Sequence, residues 1–263
     1  MDTSIVDSSN KSNKLKEFIK EIQRNNRNPK DNSVLSLLDI KETNPSIVLG
    51  KGYLMYRCRI ISDSKKISKD KGFYGYNSEE SFVTPWKKST DMRANYRYIP
   101  YLYCASARYT SVIESRPRLS AEVSVATIQV LEDLTLLDLT NQHKPKGIDS
   151  VKTNLFAALS ELFSKPISSS DDVLDYIPTQ YIAEYVKNLG YDGISYKSSL
   201  HINALRNSDK YNPETDNKKA GVNYVIFNYG KCKAIASNVY RIIETNLSCE
   251  QIDKDAKREE ITY

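Results

Sequence analysis

The side chains best suited to chemistry in this 263-residue chain are few and lie far apart. Arg57 and Arg59 sit in Y-L-M-Y-R-C-R-I-I at Tyr53 to Ile61, and Arg93 sits in D-M-R-A-N-Y. One embedded acid, Glu114, follows Val112 and Ile113 in P-Y-L-Y-C-A-S-A-R-Y-T-S-V-I-E-S-R-P. Guanidinium groups stay charged at any relevant pH and fork onto phosphate oxygens bidentately, so the arginines suit a phosphate clamp. The acid reads in two ways: an ion pair with a nearby arginine, or a functional carboxylate sharing a cleft with the arginines, tyrosines and a serine. Nineteen tyrosines against one tryptophan and six phenylalanines add flat faces that carry a hydroxyl, Tyr103 among them. Further on, G-Y-D-G-I-S-Y-K-S-S delivers Ser198 and Ser199 to a strand end.

The elements that must position these groups follow from periodicity. Tyr53 to Ile61 alternates as a strand, with Arg57, Arg59 and Ile61 on one face and Tyr56, Cys58 and Ile60 on the other. That face is either a solvated edge or a clamp. Tyr101 to Cys104 is a short β run leading through small residues into about two helical turns that end at Pro117. Glu122 to Val130 and Leu134 to Leu139 are strand-like, the second apolar enough to be central. Leu155, Leu159 and Leu162 define a helix from about Ser150 to Phe163. In I-P-T-Q-Y-I-A-E-Y-V-K-N-L-G, Pro178 suits a first helical position and Gly190 a C-terminal stop, after which Asp192 to Tyr196 reads as a strand. Val222 to Tyr229 and Lys233 to Ile243 are further strands, and Ser62 to Asn95 is a long irregular excursion. At the N-terminus, Leu15, Phe18, Ile19 and Ile22 predict a short helix over Lys14 to Gln23, preceded by a fraying segment, with another helical turn over Val34 to Ile40. The expected organisation is a helical extension over 1–45, one main domain over 46–247 and a charged tail over 248–263.

Bulk properties narrow the classes. The excess of 38 Lys and Arg over 33 Asp and Glu gives +5, too mild to indicate a nucleic-acid binder and equally suited to an acidic small molecule. Cys58, Cys104, Cys232 and Cys249 are widely spaced, and the only histidines are His143 and His201, so no metal-ligand spacing is present. The cysteines read as free thiols in a reducing compartment. The polar N-terminus and the lack of about 18 consecutive apolar residues predict a soluble cytoplasmic protein with no membrane partner. Without a Ser-His-Asp or Cys-His candidate set, acyl transfer is disfavoured.

Read together and in order, Y-R-C-R, R-A-N-Y, P-Y-L-Y-C-A through T-S-V-I-E-S-R-P, Y-I-P-T-Q-Y-I-A-E, G-Y-D-G-I-S-Y-K-S-S and G-V-N-Y-V-I-F-N resemble the RES-domain family over about Tyr53 to Asn228. That family is named for an Arg-Glu-Ser set and typified by the toxins of RES–Xre toxin–antitoxin pairs. Its short toxins lack the N-terminal extension, which makes this chain more similar to the longer branch. The resemblance implies an α+β fold, an ADP-ribosyltransferase-like split mixed sheet with flanking helices. It also implies an enzyme that degrades NAD⁺ by cleaving its nicotinamide–ribose bond, with water or inorganic phosphate as acceptor, an antitoxin protein as partner and self-association into oligomers.

Carried over residue by residue, the first family arginine matches Arg57, with Arg59 as the alternative, and the second matches Arg93; both imply phosphate binding. Tyr103 matches the family tyrosine that stacks on nicotinamide or positions the ribose, or is an ordinary packed ring. Glu114 matches the catalytic glutamate. Ser198, ahead of Ser199, matches the family serine, which hydrogen-bonds ribose or the carboxamide, or else is a turn serine. Asn223 lies near the cleft by motif position, where a backbone-satisfying amide is its other reading. Since no G-x-G-x-x-G follows a strand, NAD⁺ is expected as a substrate held by side chains, with no cofactor in a Rossmann crevice. The competing expectations are an ADP-ribosyltransferase acting on a protein or nucleic acid, and a non-catalytic binding module.

Overall fold

The computed structural model describes residues 3–62, 74–140, 150–165, 173–200 and 221–244. The polar loop expected up to Ala220, the turn at 144–149, most of the loop at 164–172 and the charged tail from Ser248 lie outside the described residues, as do His143, His201 and Cys249.

Eight strands form one sheet in the order β1-β5-β6-β7-β3-β2-β4-β8. They are β1 (Ser46–Leu49), β2 (Leu54–Ile60), β3 (Leu102–Ala105), β4 (Glu122–Val130), β5 (Leu134–Asp138), β6 (Gly193–Lys197), β7 (Val222–Ile226) and β8 (Cys232–Arg241). Only β5 and β6 run parallel, and every other pairing is antiparallel. Among the described residues the α-helices are α1 (Thr3–Arg24), α2 (Arg108–Glu114), α3 (Ser150–Ser164) and α4 (Ile177–Asn188). The α+β fold with a mixed sheet and flanking helices is thus the architecture of the chain.

The sheet is not uniformly zipped. β2 runs alongside β4 through seven residue pairs, Leu54 to Ile60, and β3 runs alongside β7 through four. Between β2 and β3, however, only Tyr56 and Ala105 are in register. Five strands, β1-β5-β6-β7-β3, and three, β2-β4-β8, therefore meet at one rung. Beyond that rung the ladder opens, and the backbone groups there face a gap.

Two apolar clusters lie against the sheet. The larger joins Leu15, Phe18 and Ile22 of α1 with Leu155, Leu159 and Phe163 of α3 and Ile182 and Val186 of α4. The N-terminal segment therefore shares its core with the rest of the chain. It is helical from Thr3, earlier than the predicted start at Lys14, because no Gly or Pro interrupts residues 3–13. The second cluster holds Met55, Leu102, Ala126, Ile128, Leu136 and Ile226. Leu102 and Tyr103 fall in different clusters, as strand alternation requires. β1, four residues between Pro45 and Gly50, has no sequence prediction behind it: a segment that short carries no readable period and exists by pairing with β5. The helical turn expected over Val34 to Ile40 is a 3₁₀ turn, Ser33–Leu38, with Leu35 and Leu38 buried. Among the described residues no helix is long and apolar enough to cross a membrane.

α4 begins as its sequence predicts, with Pro178 in the first turn, and stops at Gly190, whose φ of 83° is a left-handed conformation a side chain would resist. The chain then enters β6 at Gly193, between Leu136 and Ile226 on the flanking strands. A Cβ there would sit 2.3 Å from the Val225 carbonyl oxygen and 2.9 Å from Leu136 Cδ2. The Leu136 side chain can rotate away, but the Val225 carbonyl cannot retreat without breaking a central ladder. Gly193→Ala is accordingly expected to destabilise the protein by about 3 kcal/mol, read as a lower urea midpoint at unchanged slope.

Candidate active site

The gap between the half-sheets holds a cavity of about 420 Å³, within the size range of small-molecule sites. β2 contributes Tyr56, Arg57 and Cys58 to its lining, and β3 contributes Tyr103, Cys104 and Ala105, so the cavity lies where the two strands diverge.

α2 closes one side. Its last residue is Glu114, after which Ser115 turns back to Val112 through its hydroxyl (2.7 Å) and Arg116 takes a φ of 47°. Pro117 then prevents continuation of the helix. This termination sets the acid at the cavity. Glu114 Oε1 accepts hydrogen bonds from Ser198 Oγ at 2.6 Å and from Asn223 Nδ2 at 2.8 Å. Both donors are buried, Ser198 just beyond β6 and Asn223 on β7, while the glutamate itself is exposed. The second oxygen, Oε2, has no partner among the described residues. No arginine or lysine among them forms an ion pair with Glu114, so the structural reading of this acid as half of a salt bridge does not describe it.

Arg57 faces the cavity from the opposite bank. One of its nitrogens, Nη2, donates to Thr84 Oγ1 at 3.2 Å, and Nη1 is buried without a partner. Burial pulls the guanidinium below its ordinary value, with Arg59 pushing the same way against the opposing influence of Cys104 and Tyr103. An unpaired buried guanidinium N–H is costly unless an anion meets it. Arg59, two residues along the same strand face, is used elsewhere. It donates to the Glu80 carbonyl and stacks over Tyr76 at 4.1 Å from the ring centroid, away from the cavity lining. The structure thus separates the two arginines that alternation leaves equivalent.

Arg93 lines the cavity but spends donors on protein: Nη1 on the Leu162 carbonyl at 3.0 Å and Nη2 on that of Lys165. These are orphan carbonyls at the C-terminus of α3, where a cation is also favoured by the helix dipole. Tyr103 presents its ring to the cavity, while its hydroxyl donates to Asn95 Oδ1 (2.8 Å) and accepts from the Ala94 N–H (3.1 Å). Burial raises the Tyr103 phenol well above its usual range, and it stays protonated. Tyr196 beside it is raised to about 12, again chiefly by burial.

Residues that the motif reading left without a role complete the site. Gln180, in the P-T-Q-Y turn of α4, is buried and donates through Nε2 to the carbonyls of Met92 (3.0 Å) and Asn95 (2.9 Å). Asn95 donates in turn to the carbonyls of Thr90 and Tyr96. Together they brace the irregular 90–96 segment that carries Arg93. Arg116, Lys165 and Lys197 add cationic lining. The cavity therefore sets five basic side chains, with Arg57 and Arg93, against one carboxylate. Of these, only Arg116 was near a sequence signal, two residues beyond Glu114 and directly before the Pro117 that ends the segment.

This arrangement can bind an anionic ligand and put one negative charge against a cationic centre within it. Residues 70–241 match the RES domain family. No curated protein matches the chain in sequence. Among solved structures, a chain of the M. tuberculosis MbcT–MbcA toxin–antitoxin complex is similar at 14% identity, over 78% of this chain and 91% of that one, with a TM-score of 0.42.

Proposed function

The chain belongs to the RES-domain family, and from that premise we propose that it is an NAD⁺-degrading enzyme that cleaves the nicotinamide–ribose bond, acting as a toxin or defence effector. The observation that carries this reading is Glu114: a carboxylate fixed through Oε1 by Ser198 and Asn223, with Oε2 unpartnered among the described residues, in a cavity whose other charged lining residues are all basic. A dinucleotide places a diphosphate and a cationic nicotinamide riboside in one molecule. Arg57, with its unpartnered Nη1, takes the phosphates, and Arg93 adds positive potential from the α3 terminus. Glu114 then faces the ribose at its anomeric carbon.

The bond between that carbon and the pyridinium nitrogen breaks with its electron pair going to nitrogen, which releases neutral nicotinamide. The ribosyl ring becomes oxocarbenium-like, and Glu114 stabilises that charge electrostatically. The Ser198 and Asn223 donors orient the carboxylate. Water then adds at the anomeric carbon, losing a proton, to give ADP-ribose; phosphate adds in the same way to give ADP-ribose 1″-phosphate. NAD⁺ is in this reading a substrate and not a cofactor. An antitoxin protein that occludes the cavity, and further copies of the chain, are the partners we expect.

The test is to incubate the protein with NAD⁺, with and without inorganic phosphate, and to follow products by mass. Nicotinamide release with free ADP-ribose or its 1″-phosphate is the expected result, and the product mass identifies the acceptor. Nicotinamide release with ADP-ribose attached to a macromolecule would make the protein an ADP-ribosyltransferase. Absence of nicotinamide release in every condition, with binding retained, would make it a binding module.

A further inference from the structure

The segment from Thr84 to Ile99 has an outer side that the chemistry above does not use. Trp86 is 58% exposed and Tyr98 51%, with their rings edge-to-face at 6.3 Å, and Ile99 is exposed beside them. Tyr98 holds a φ of 71°, a left-handed conformation that an L side chain adopts only when its surroundings impose it. Here they do: its N–H donates to the Ser89 carbonyl, Arg97 N–H to Asp91 Oδ1, and the Asn95 side chain fastens the turn from within. Two large exposed aromatic rings are therefore held in place on a braced loop.

Cations frame these rings. Lys87 Nζ lies 5.4 Å from the Trp86 ring centroid and the Arg97 guanidinium 5.1 Å from that of Tyr98, with Lys88 exposed next to them. None of the three forms an ion pair with a described residue. Asp91 is the sole acid between Thr84 and Ile99, and its Oδ1 accepts from Arg97 N–H and Gln180 Nε2.

We propose that this patch is a docking site for a partner protein, which it takes through an extended segment of mixed acidic and apolar side chains. Rigid aromatic anchors beside unpaired cations are the composition of interface hot spots, and preorganisation lowers the entropy lost on binding. The acidic charges answer Lys87, Lys88 and Arg97, and the apolar side chains cover Trp86, Tyr98 and Ile99. Single-stranded nucleic acid is the competing occupant; the two rings meet edge-to-face at 72° and so offer no parallel pair of stacking platforms. A second copy of the chain carries a net charge of +5, which disfavours it as the occupant of a basic patch. The patch also borders the cavity, since Thr84 holds Arg57 and the same segment sends Met92 and Arg93 into the lining. A partner seated here would be positioned to act on the clamp.

Trp86 is the only tryptophan in the chain, so intrinsic emission reports this surface alone. The test selects twelve-residue displayed peptides on the folded protein, with counterselection on a Lys87→Glu/Lys88→Glu/Arg97→Glu variant. Selected sequences are expected to be rich in Asp and Glu interleaved with Leu, Phe or Trp. Tryptophan-free synthetic versions should shift the Trp86 emission to the blue and saturate, with affinity at least about tenfold weaker for the triple variant and weaker in high salt. Circular dichroism matching the parent confirms that the exposed substitutions leave the variant folded. If no sequence survives counterselection, or survivors lack acidic residues, the proposal is overturned. Saturable quenching of Trp86 by oligothymidine, lost in the same variant, would overturn it in favour of nucleic acid. The measurement needs no turnover, so it stands or falls independently of the reaction proposed above.

Discussion

Glu114→Gln is expected to lower NAD⁺ turnover by about a thousandfold, near 4 kcal/mol of transition-state stabilisation, with KM changed by no more than a few fold. Glutamine has nearly the shape of glutamate, and its carbonyl oxygen can keep the hydrogen bonds from Ser198 and Asn223. What disappears is the negative charge that, on the proposed function, faces the ribosyl carbon, and that charge matters in the transition state more than in the ground state. A fall in kcat with KM preserved is therefore the signature of this role. An equal loss carried by KM would make Glu114 a binding group. The folded structure should persist, because the helix end at Ser115 and the left-handed turn at Arg116 do not depend on the charge.

The second large effect is expected at the phosphate clamp, where the two strand arginines should part company. Arg57→Ala should raise KM for NAD⁺ by about a hundredfold, from the loss of roughly 3 kcal/mol of charge-assisted contact with the diphosphate. It should leave the thermal midpoint unchanged or higher. The guanidinium is buried with Nη1 unsatisfied, and its depressed basicity means that folding disfavours its charge. That cost is fully present at pH 7, where the group is protonated both folded and unfolded, and truncation removes it. Arg59→Ala should behave in the opposite way. It gives up the Glu80 carbonyl contact and the stacking on Tyr76, for about 1 kcal/mol of stability, with kcat/KM within a factor of about two. A KM effect at Arg59 larger than at Arg57 would transfer the clamp to the other arginine.

How much of this was visible in the sequence depends on range. Local grammar was dependable: Pro178 and Gly190 mark α4, the apolar run marks β5, and Pro117 ends the segment whose last helical residue is Glu114. The strand-end position of Ser198 was equally legible. That its hydroxyl reaches Glu114 was not, because the contact spans 84 residues of chain and rests on strand order, which no local period encodes. Arg57 and Arg59 illustrate the limit most clearly. A period of two places them on one face, and what distinguishes them is the irregular stretch containing Glu80 and Thr84, where there is no period to read. Gln180 was hidden for a related reason. On a helical wheel it is one polar residue among several, and only the approach of the 90–96 segment turns it into a brace.

The single rung between Tyr56 and Ala105 also bears on how such a protein can change over time. Strands that share a long ladder must alter together, since a one-residue slip in one turns all its side chains to the opposite face relative to its partner. Here an insertion or slip among β2, β4 and β8 is not transmitted across the seam, and the five-strand bank is insulated likewise. Arg57 belongs to one bank; Ser198 and Asn223, which aim the carboxylate, belong to the other. On the proposed function, Arg57 of the phosphate clamp and the groups that orient the carboxylate are thus heritable as separate modules, so a lineage could trade one substrate for another while its bond-breaking apparatus passes down unaltered.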